Sequence, residues 1–322
     1  MDKCKLFLVI PCYNEQEVLE ETNRQLHVVM NGMIEKGKIN KDSRIVYVND
    51  GSKDNTWEII KKLHKESELV SGICLSRNKG HQNALLAGLH TVKDFCDAAI
   101  SLDADLQDDV NAIEAMVDKF YEGNDVVYGV RSSRKKDTFF KRTTAQGFYK
   151  LMEKLGVEVV YNHADYRLMS KRALQALAQF KEYNVFLRGL VPVVGFKSDI
   201  VYYERNERFA GESKYPLKKM LAFAFEGITS FSVKPIRFIT TLGAVVFIVS
   251  IIMLIYSLVS YIAGAVVSGW SSLIISIWAL GGLQLLSIGV IGEYIGKIYL
   301  ETKGRPKYII QEFLDDNIVD KN

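Results

Sequence analysis

The feature that most constrains the fold of this chain is a stretch of 55 consecutive residues, 238–292, that contains no Asp, Glu, Lys or Arg. A membrane-spanning helix needs about 20 apolar residues, so this stretch is long enough for two spans joined by a tight turn. We expect spans at Phe238–Ile262 and Ser271–Gly292, with Ala263–Trp270 as the loop. The alternative is a buried helical hairpin in a soluble protein, although soluble helices normally keep one polar face.

Basic residues flank this stretch on both sides, and the predicted loop between the spans is uncharged. Because cytoplasmic segments are enriched in Lys and Arg, we expect both flanks and both termini in the cytoplasm, as parts of a multi-pass protein of the cell membrane. The net charge of +3 gives no indication of nucleic-acid binding, so the basic residues are interpreted as contacts for anionic lipid headgroups. The flanking residues are Lys218, Lys219, Lys234 and Arg237 on one side and Lys297, Lys303, Arg305 and Lys307 on the other.

The rest of the sequence alternates short β-rich runs with helical patterns, which favours an α/β sheet covered by helices on both faces. Neither GxGxxG nor a Walker A motif occurs, so a dinucleotide dehydrogenase and a P-loop hydrolase are disfavoured. Four scattered cysteines indicate reduced, buried thiols of a cytosolic domain. The predicted strands are Lys5–Ile10, Arg44–Asn49, Gly72–Leu75, Ala98–Leu102 and Asp125–Gly129, and the predicted helices are Glu17–Glu35, Thr56–Lys65, Gln82–Val92 and Asn111–Tyr121.

These patterns divide the chain into four predicted regions. Residues 1–215 form the α/β domain, and residues 238–292 form the membrane hairpin. Between them, residues 216–237 combine regularly spaced apolar side chains with lysines, which is typical of amphipathic helices at a membrane interface. Residues 293–322 follow as a cytoplasmic tail.

Acidic side chains follow the strand predicted at Ala98–Leu102. In the segment CDAAISLDADLQDD, residues 96–109, Asp103, Asp105 and Gln107 occupy alternating positions, and residues two apart in an extended backbone point the same way. Hard oxygen ligands suit Mg²⁺ or Mn²⁺, which proteins usually hold with one or two carboxylates plus substrate phosphates. The segment therefore predicts a site for a metal-bound diphosphate. The alternative is a solvated acidic turn that caps the next helix.

Other predicted strands also end near acidic residues. Glu15 follows the first strand, Asp50 follows the second, and Asp54 lies just beyond it. Ligands of open α/β sheets bind at the carboxyl ends of strands, where such carboxylates can hydrogen-bond a base and a ribose. For each of the three residues taken singly, helix capping is an equally good interpretation.

Several longer motifs occur in a fixed order. The sequence contains IPCYNE at Ile10–Glu15, NDGSKDNT at Asn49–Thr56, RNKGHQNALLAGL at Arg77–Leu89, DADLQ at Asp103–Gln107, DYRLM at Asp165–Met169 and RFAGESKY at Arg208–Tyr215. The first four resemble the GT-A glycosyltransferases of family 2. The last two resemble the polyprenyl-phosphate glycosyltransferases, which include dolichol-phosphate mannose synthase and the bacterial bactoprenol glucosyltransferases. A departure is Asn49, where many relatives have Asp.

This resemblance implies a Rossmann-like GT-A fold with a mixed sheet, which makes residues 1–215 the catalytic domain. It also implies inverting transfer of one sugar from a nucleotide sugar to a polyprenyl phosphate, commonly undecaprenyl phosphate, for the modification of cell-envelope glycans. UDP-glucose and UDP-N-acetylglucosamine are the leading donors, while UDP-galactose and GDP-mannose stay open. Membrane lipids, further copies of the chain in a homo-oligomer such as a tetramer, and a separate flippase are the other expected partners.

The resemblance also assigns roles to residues that match the family motifs. It implies that the nucleotide sugar and a Mg²⁺ or Mn²⁺ cofactor are held by the strand-end residues. The nucleotide contacts are Pro11, Tyr13, Glu15 and Asp50, the donor-site residues are Asp103 and Ala104, and the metal ligands are Asp105 and Gln107.

Three further residues are predicted near the donor. Arg131, at the end of the fifth strand, adds a positive group close to the phosphates, whereas the following basic residues are interpreted as a solvated loop. Asp165 is the candidate for a catalytic carboxylate near the anomeric carbon; its alternative role is an ion pair with Arg167, itself a predicted donor contact, that braces the site. Because the acceptor is an anionic phosphate, it needs little help from a general base.

Arg208, Ser213 and Lys214 lie on a loop just before the first predicted span. Guanidinium and ammonium groups suit phosphate oxygens, so this loop is predicted to bind the lipid phosphate, with Arg208 and Lys214 also acting in catalysis. Surface charge without a partner is the alternative. His81 is interpreted as a helix-start or donor-pocket contact and not as a catalytic base.

Two other functions compete with this interpretation. A processive polysaccharide synthase shares the GT-A core, but it needs more than two spans and a QxxRW motif that this sequence lacks. A non-catalytic nucleotide-sugar sensor or membrane scaffold is the second. The intact acidic and basic motifs argue against it.

Overall fold

The computed structural model describes residues 3–132, 163–182, 187–204, 234–263 and 269–315. The chain divides into two compact units. The first contains the described residues up to 204 together with the C-terminal segment from Pro306, and the second contains the helices between Lys234 and Arg305.

The first unit is built from alternating strands and helices, as the sequence predicts. The strands described in it are β1 Leu6–Cys12, β2 Arg44–Asn49, β3 Val70–Leu75, β4 Ala98–Ser101, β5 Val126–Arg131, β6 His163–Ser170, β7 Ser198–Tyr203 and β8 Ile310–Leu314. The helices are α1 Leu19–Glu35, α2 Thr56–Glu66, α3 His81–Val92, α4 Ala112–Tyr121, α5 Lys171–Leu177 and α6 Leu187–Val194.

These strands form one sheet in the order β7-β5-β6-β4-β1-β2-β3-β8. Strands β1 to β4 pair in parallel and are buried along their length, which explains their nearly continuous apolar sequences. We call the side of the sheet where the parallel strands end the carboxyl edge, marked by Cys12, Asn49, Leu75, Ser101 and Arg131. The opposite side, marked by Leu6, Arg44, Val70, Ala98 and Val126, is the amino edge.

Strand β6 makes the sheet mixed, which confirms the expected α/β GT-A architecture. It runs antiparallel to both β4 and β5, so that Arg167 pairs with Ser101 at the carboxyl edge and Ser170 pairs with Ala98 at the amino edge. The sequence did not predict β6, because Asp165 and Arg167 interrupt its apolar pattern, although both side chains are buried. Two buried charged side chains are thus carried on a central strand.

The C-terminal segment adds an eighth strand that the sequence did not predict. Strand β8 pairs antiparallel with β3, and Ser71 donates a hydrogen bond of 2.8 Å to the buried carboxylate of Asp315. The segment from Pro306 therefore returns to the sheet after the helices of the second unit. How the predicted tail 293–322 and the other predicted boundaries correspond to functional domains stays a prediction.

Close packing of α3 on the sheet fixes the position of the carboxyl edge loops. A Cβ atom at Gly88 would lie 2.4 Å from Cγ1 of Val9 and 2.8 Å from Cγ2 of Val48, so glycine is required at this contact. The face of α3 that includes Ala84 and Leu85 is buried. The first residue of the helix, His81, consequently lies at the carboxyl edge, which confirms it as a helix-start residue.

The four cysteines are free and buried, in line with the prediction of reduced thiols. Burial raises the pKa of Cys4 and of Cys96 to about 12, so both thiols stay protonated near neutral pH. They contribute to packing and not to reactivity.

The second unit contains two long helices, α7 Lys234–Ile262 and α8 Trp270–Lys303. Within the described residues, one segment, Leu280–Lys303, is long and apolar enough to cross a membrane. It overlaps the second predicted span. The first span, and with it the two-span hairpin and its topology, stays a prediction.

Candidate active site

The acidic segment after β4 folds as a turn and not as an extended continuation of the strand. Strand β4 ends at Ser101, and Leu106 has a left-handed backbone with a φ of 56°. The expectation that Asp103, Asp105 and Gln107 point the same way along an extended backbone is therefore wrong. Instead, the backbone N–H of Gln107 donates to Oδ1 of Asp105 at 3.2 Å, which brings the two predicted metal ligands together by a turn.

Apolar side chains hold this turn in place. Ala104 and Leu106 are both buried in the main core, and the carbonyl of Ala104 accepts a hydrogen bond of 2.7 Å from the hydroxyl of Thr22 on α1. Asp105 is buried between them, whereas Asp103 and Gln107 are partly exposed. Buried and exposed side chains therefore do not alternate along the segment as the sequence pattern suggested.

Negative charge is concentrated around this turn. Desolvation raises the pKa of Asp103, and the carboxylates of Asp108, Asp165 and Asp105 raise it further. The ring Nε2 of His81 lies 3.5 Å from Oδ1 of Asp103 and opposes this effect. A cation bound here would relieve the repulsion between the carboxylates.

We tested whether the residues present suit the divalent ion that the fold family implies. Across the described parts of the chain, no three His, Cys, Asp or Glu side chains are grouped so as to hold a metal by themselves. Mg²⁺ is commonly held by one or two carboxylates, with substrate phosphates and water completing its shell. The crowded carboxylates and the oxygen donors of Asp105 and Gln107 suit such a shared site.

A second cluster surrounds Asp165 on β6. Its Oδ1 accepts a hydrogen bond from Nη2 of Arg167, and its Oδ2 accepts one of 3.0 Å from Nη2 of Arg188 and one of 3.3 Å from Nε2 of Gln82. Nε2 of His81 lies 3.8 Å from the same Oδ2. The predicted ion pair between Asp165 and Arg167 is confirmed, and the structure adds a second guanidinium.

The charge state of Asp165 follows from these contacts. Burial by itself would raise its pKa, but the guanidinium groups of Arg188 and Arg167 hold the pKa well below its usual range. The carboxylate therefore stays ionised near neutral pH and is a weak base. This geometry suits a residue that positions its neighbours better than one that accepts a proton.

Arg131 is held by a partner that the sequence analysis did not identify. Its Nη2 lies 3.3 Å from Oδ1 of the buried Asp108, and its Nε donates to the hydroxyl of Tyr203 at 3.3 Å. The hydroxyl of Tyr203 in turn donates to Asp108 at 2.5 Å. The three side chains join the ends of β5 and β7 to the turn after β4, so the orientation of Arg131 is fixed at the carboxyl edge.

Asp50 organises a loop through both of its carboxylate oxygens. Oδ1 accepts the backbone N–H of Lys79 at 2.7 Å, and Oδ2 accepts that of Gly80 at 2.9 Å. Gly51 has a φ of 63°, and a Cβ atom there would lie 2.5 Å from the backbone nitrogen of Asn78. The loops after β2 and β3 are consequently locked together just before α3.

Asn49 uses its amide in a way that Asp could not. Its Oδ1 accepts the backbone N–H of Ser52 at 3.2 Å, and its Nδ2 donates to Sγ of Cys74 at 3.3 Å. The departure from the family pattern therefore has a local structural explanation. The carboxylate at Asp50 remains in place beside it.

The loop after β1 presents the remaining predicted nucleotide contacts. Pro11 is buried in the strand, whereas Tyr13 is 42% exposed and Glu15 is half-buried. This loop is tied to the loop after β2, because the backbone N–H of Glu15 donates to the hydroxyl of Thr56 at 2.9 Å and Asn14 exchanges hydrogen bonds with residues 52 and 53. Tyr13 therefore lies on a supported loop at the carboxyl edge.

The structure thus brings most of the predicted residues to one edge of the sheet and adds four that the sequence analysis did not assign. Arg208, Ser213 and Lys214, as well as most of the interfacial segment 216–237, lie outside the described residues. The sequence signal for Gln82 was its position inside the motif RNKGHQNALLAGL, and for Asp108 its place directly after DADLQ. Arg188 and Tyr203 carried no motif and required the tertiary structure. The additional residues are Gln82, Asp108, Arg188 and Tyr203.

Comparisons with known proteins agree with this architecture. Residues 7–178 match the family described as Glycosyl transferase family 2. The uncharacterized glycosyltransferase YkoT of Bacillus subtilis is 57% identical to this chain, over 95% of the chain and 90% of its own length. The prophage bactoprenol glucosyl transferase homolog of Escherichia coli is 41% identical over 95% of this chain and 98% of its own length. The bactoprenol glucosyl transferase of Shigella phage SfX is 41% identical over 95% of this chain and 99% of its own length.

The family match covers more than half of the chain, and the relatives extend the similarity to nearly its whole length. The mixed sheet, with acidic and basic residues collected at its carboxyl edge, is the fold that the sequence motifs implied. The chain therefore belongs to glycosyltransferase family 2, in the group that contains the bactoprenol glucosyl transferases.

Proposed function

We propose that this chain transfers glucose, with inversion, from UDP-glucose to undecaprenyl phosphate at the cytoplasmic face of the membrane. The observation that carries the proposal is the 41% identity to proteins named bactoprenol glucosyl transferase, over 95% of the chain, so that the helical unit is included. The relative with 57% identity is described only as a glycosyltransferase. UDP-N-acetylglucosamine is therefore the second donor to be tested.

The proposed reaction is a single displacement. A phosphate oxygen of the acceptor forms a bond to the anomeric carbon while the bond from that carbon to the donor diphosphate breaks, and UDP leaves. Negative charge grows on the diphosphate as the sugar gains oxocarbenium character. The acceptor oxygen is already ionised, so no proton has to be removed, in keeping with the lowered pKa of Asp165.

Asp105 and Gln107 are the proposed ligands of a Mg²⁺ or Mn²⁺ ion, which when bound would neutralise part of the diphosphate charge. Asp103 is a proposed contact of the donor sugar, and Ala104, whose side chain is buried in the core, is proposed to line that site through its backbone. Arg131, oriented by its contact with Asp108, supplies a fixed positive charge near the leaving group.

The remaining proposed contacts follow from the family motifs and from the loops described above. Tyr13 and Glu15 contact the nucleotide from the loop after β1, and Asp50 supports that site by holding the backbone of the loop after β3. Arg208, Ser213 and Lys214 bind the lipid phosphate. Membrane attachment through the helical unit, with the sheet unit in the cytoplasm, and assembly into a homo-oligomer remain parts of the proposal.

The test is incubation of the purified full-length protein with undecaprenyl phosphate, Mg²⁺ or Mn²⁺, and one radiolabelled donor at a time. The donors are UDP-glucose, UDP-N-acetylglucosamine, UDP-galactose and GDP-mannose. We expect label in a lipid-phosphate-linked product from UDP-glucose. Product from another donor only would correct the sugar, and no glycolipid from any donor would overturn the proposal.

A pair of variants separates an effect on the transfer reaction from an effect on folding. Asp105→Asn is expected to lose transfer by about 100-fold or more while the protein stays folded, because it weakens charge stabilisation at the diphosphate. Asp315→Asn is the matched control, since Asp315 is similarly buried but contacts Ser71 at the far strand of the sheet. Equal losses of transfer in both variants would argue against a role of Asp105 in the reaction.

A further inference from the structure

The C-terminal segment 308–315, which contains strand β8, has no role in the reaction proposed above. It lies outside residues 7–178, which match the family, and it carries none of the motifs identified in the sequence. It is nevertheless fastened to the sheet unit at both of its ends. We call residues 308–315 the C-terminal strap, and its contacts indicate which part of the sheet it supports.

The last residues of the strap are attached to the beginning of β3 and to helix α2. The hydroxyl of Ser71 donates a hydrogen bond of 2.8 Å to the buried carboxylate of Asp315. Further along the strap, Nε1 of Trp57 on α2 donates to the carboxylate of Glu312 at 3.3 Å. The bond between Ser71 and Asp315 lies at the amino edge of the sheet, so this end of the strap is remote from the candidate active site.

The first residues of the strap extend the pairing beyond the end of β3, at the carboxyl edge. Strand β3 ends at Leu75, but the backbone N–H of Ser76 donates to the carbonyl of Ile309 at 3.0 Å. The hydroxyl of the preceding residue, Tyr308, lies 3.1 Å from Nδ1 of His90 on α3. This end of the strap is therefore held by two elements and in turn holds the first residue of the loop after β3.

The loop after β3, residues 76–80, leads from this hydrogen bond into the candidate active site. At its other end the carboxylate of Asp50 accepts the backbone N–H groups of Lys79 and Gly80, at 2.7 and 2.9 Å. Helix α3 begins directly afterwards, at His81. Residues 76–80 are all exposed or half-buried, so burial contributes little and the attachments at the two ends fix the course of the loop.

We infer that the C-terminal strap positions the nucleotide site, because its bond to Ser76 sets where the loop after β3 meets Asp50. The inference rests on the proposed function, in which Asp50 belongs to the nucleotide site. If the strap is released at Ile309, the loop gains freedom at its first residue, and the carboxylate of Asp50 loses the fixed pair of N–H donors that orients it. Ile309 acts through its backbone carbonyl, so Tyr308 is the positioning residue whose side chain can be altered.

The test measures UDP affinity by titration calorimetry and hydrogen exchange of residues 76–80 by mass spectrometry, both in the full-length protein. Tyr308→Ala removes the hydroxyl and the ring that contact His90. We expect it to weaken UDP binding about 5-fold and to speed exchange in the loop. Tyr308→Phe keeps the ring and should show smaller changes in the same direction. A strap that only stabilises the fold would leave the UDP affinity of the folded protein unchanged.

Ser71→Ala provides the matched control, because it removes a hydrogen bond to the same strap at the opposite end. It is expected to leave UDP affinity and loop exchange unchanged, even if it lowers the unfolding temperature. The inference requires both effects in Tyr308→Ala, so either effect without the other, or equal changes in Ser71→Ala, would overturn it. If Tyr308→Ala does not fold, Tyr308→Phe decides, and unchanged UDP affinity in that variant overturns the inference.

Failure of the proposed function gives a different result. In that case the unaltered protein transfers no sugar to undecaprenyl phosphate. UDP binding and loop exchange are measured without the acceptor, so they still decide on the strap. Both effects in Tyr308→Ala without any transfer would support the strap as a positioning element and reject the proposed reaction.

Discussion

The two edges of the sheet each carry a buried aspartate paired with arginine, but the pairs differ in how their charges balance. At the amino edge, Asp125 receives both hydrogen bonds of one guanidinium, that of Arg172, and a third from the hydroxyl of Ser170 at 2.8 Å. At the carboxyl edge, Asp165 is shared between two guanidinium groups. The first cluster joins one carboxylate to one guanidinium, whereas in the second one carboxylate is shared by two guanidinium groups.

This difference shows that the same residue types, a buried aspartate and arginine, form clusters of different composition at the two edges. The pKa of Asp125 is lowered chiefly by its hydrogen bond with Arg172, and the pKa of Asp165 is lowered by two guanidinium groups against the effect of burial. Both carboxylates are ionised, so charge state does not distinguish them either. What distinguishes them is the number of guanidinium groups that share the carboxylate and the edge of the sheet at which they lie.

The largest expected effect comes from neutralising the two aspartates in turn. Asp165→Asn leaves two guanidinium groups without a buried counter-charge, which should lower the stability by about 3–5 kcal/mol. Because the arginines lose their orientation, transfer should also fall by about 100-fold or more. Thermal unfolding and the transfer assay measure the two effects.

Asp125→Asn is the counterpart at the amino edge. We expect this substitution to lower the free energy of unfolding by about 1–3 kcal/mol, because Arg172 is 65% exposed and can be hydrated when its partner is neutral. Transfer by the folded fraction should be unchanged. A large loss of transfer in Asp125→Asn would show that the two edges are not functionally separate.

Backbone strain offers a second comparison, between two glycines with positive φ. Gly51 at the carboxyl edge has a φ of 63°, and an added Cβ would meet backbone atoms of residues 77 and 78 at 2.5–2.9 Å. Gly123 at the amino edge has a φ of 85° but open space around it. Gly51→Ala should therefore cost about 2–5 kcal/mol, from left-handed strain together with overpacking, and Gly123→Ala only about 1–2 kcal/mol.

Unfolding free energies of the two variants measure this difference. The clash at Gly51 also displaces the loop that Asp50 holds, so UDP affinity should decrease in Gly51→Ala and not in Gly123→Ala. If both variants lose the same stability and keep the same affinity, close contact between the loops after β2 and β3 is not needed for the site.

The sequence predicted the parts of the fold that have a regular apolar pattern. Strands β1 to β5 and helices α1 to α4 were all anticipated, because each strand is a short apolar run and each helix buries one face. The three strands that were not anticipated are β6, β7 and β8. Strand β6 carries buried charges, β7 alternates exposed and buried residues only over Ile200 to Tyr203, and β8 is largely exposed at the rim of the sheet.

Residues of the candidate site could be predicted where they belong to a sequence motif, but not where only tertiary contacts bring them to the site. The DADLQ segment was expected to be extended, whereas the structure folds it as a turn around Leu106, and the metal-binding role of its residues stays a prediction. Arg188 could not be selected from the sequence, because its contact with Asp165 joins residues more than 20 positions apart in the chain. Contacts of this kind depend on strand order, which no local pattern encodes.

The third prediction concerns stability in acid and involves neither the Asp125 cluster nor the Asp165 cluster. Burial, reinforced by Lys307 and Lys93, lowers the pKa of His90 to about 4, and its Nδ1 lies 3.1 Å from the hydroxyl of Tyr308. Between pH 6.5 and 4 the unfolded chain binds a proton that the folded chain does not. Stability should therefore fall as the pH falls through this window, by up to about 3 kcal/mol.

His90→Gln should flatten this dependence, because glutamine does not titrate. The measurement is the unfolding temperature of both proteins from pH 7 to pH 4.5. An identical decline in the variant would mean that other groups set the acid limit of the fold. The curve of the unaltered protein also defines the pH range in which activity data on the carboxyl edge can be interpreted without unfolding.

The smallest expected effect concerns exposed ion pairs at the amino edge of the sheet. Lys119 on α4 lies 2.9 Å from Glu122 and 3.1 Å from Asp199, and all three side chains are at least one-third exposed. Exposed pairs are screened by water and salt, so Lys119→Met should change stability by less than about 1 kcal/mol.

The same variant should also leave the salt dependence of UDP binding unchanged. The proposed binding of a nucleoside diphosphate by cationic side chains at the carboxyl edge should weaken as salt screens the charges, whereas removal of a distant lysine that is already paired with carboxylates should not alter that attraction. Titrations of UDP in low and high salt, with and without the substitution, measure this. A changed salt dependence in Lys119→Met would mean that the field of the whole domain, and not the oriented arginines of one edge, attracts the phosphate.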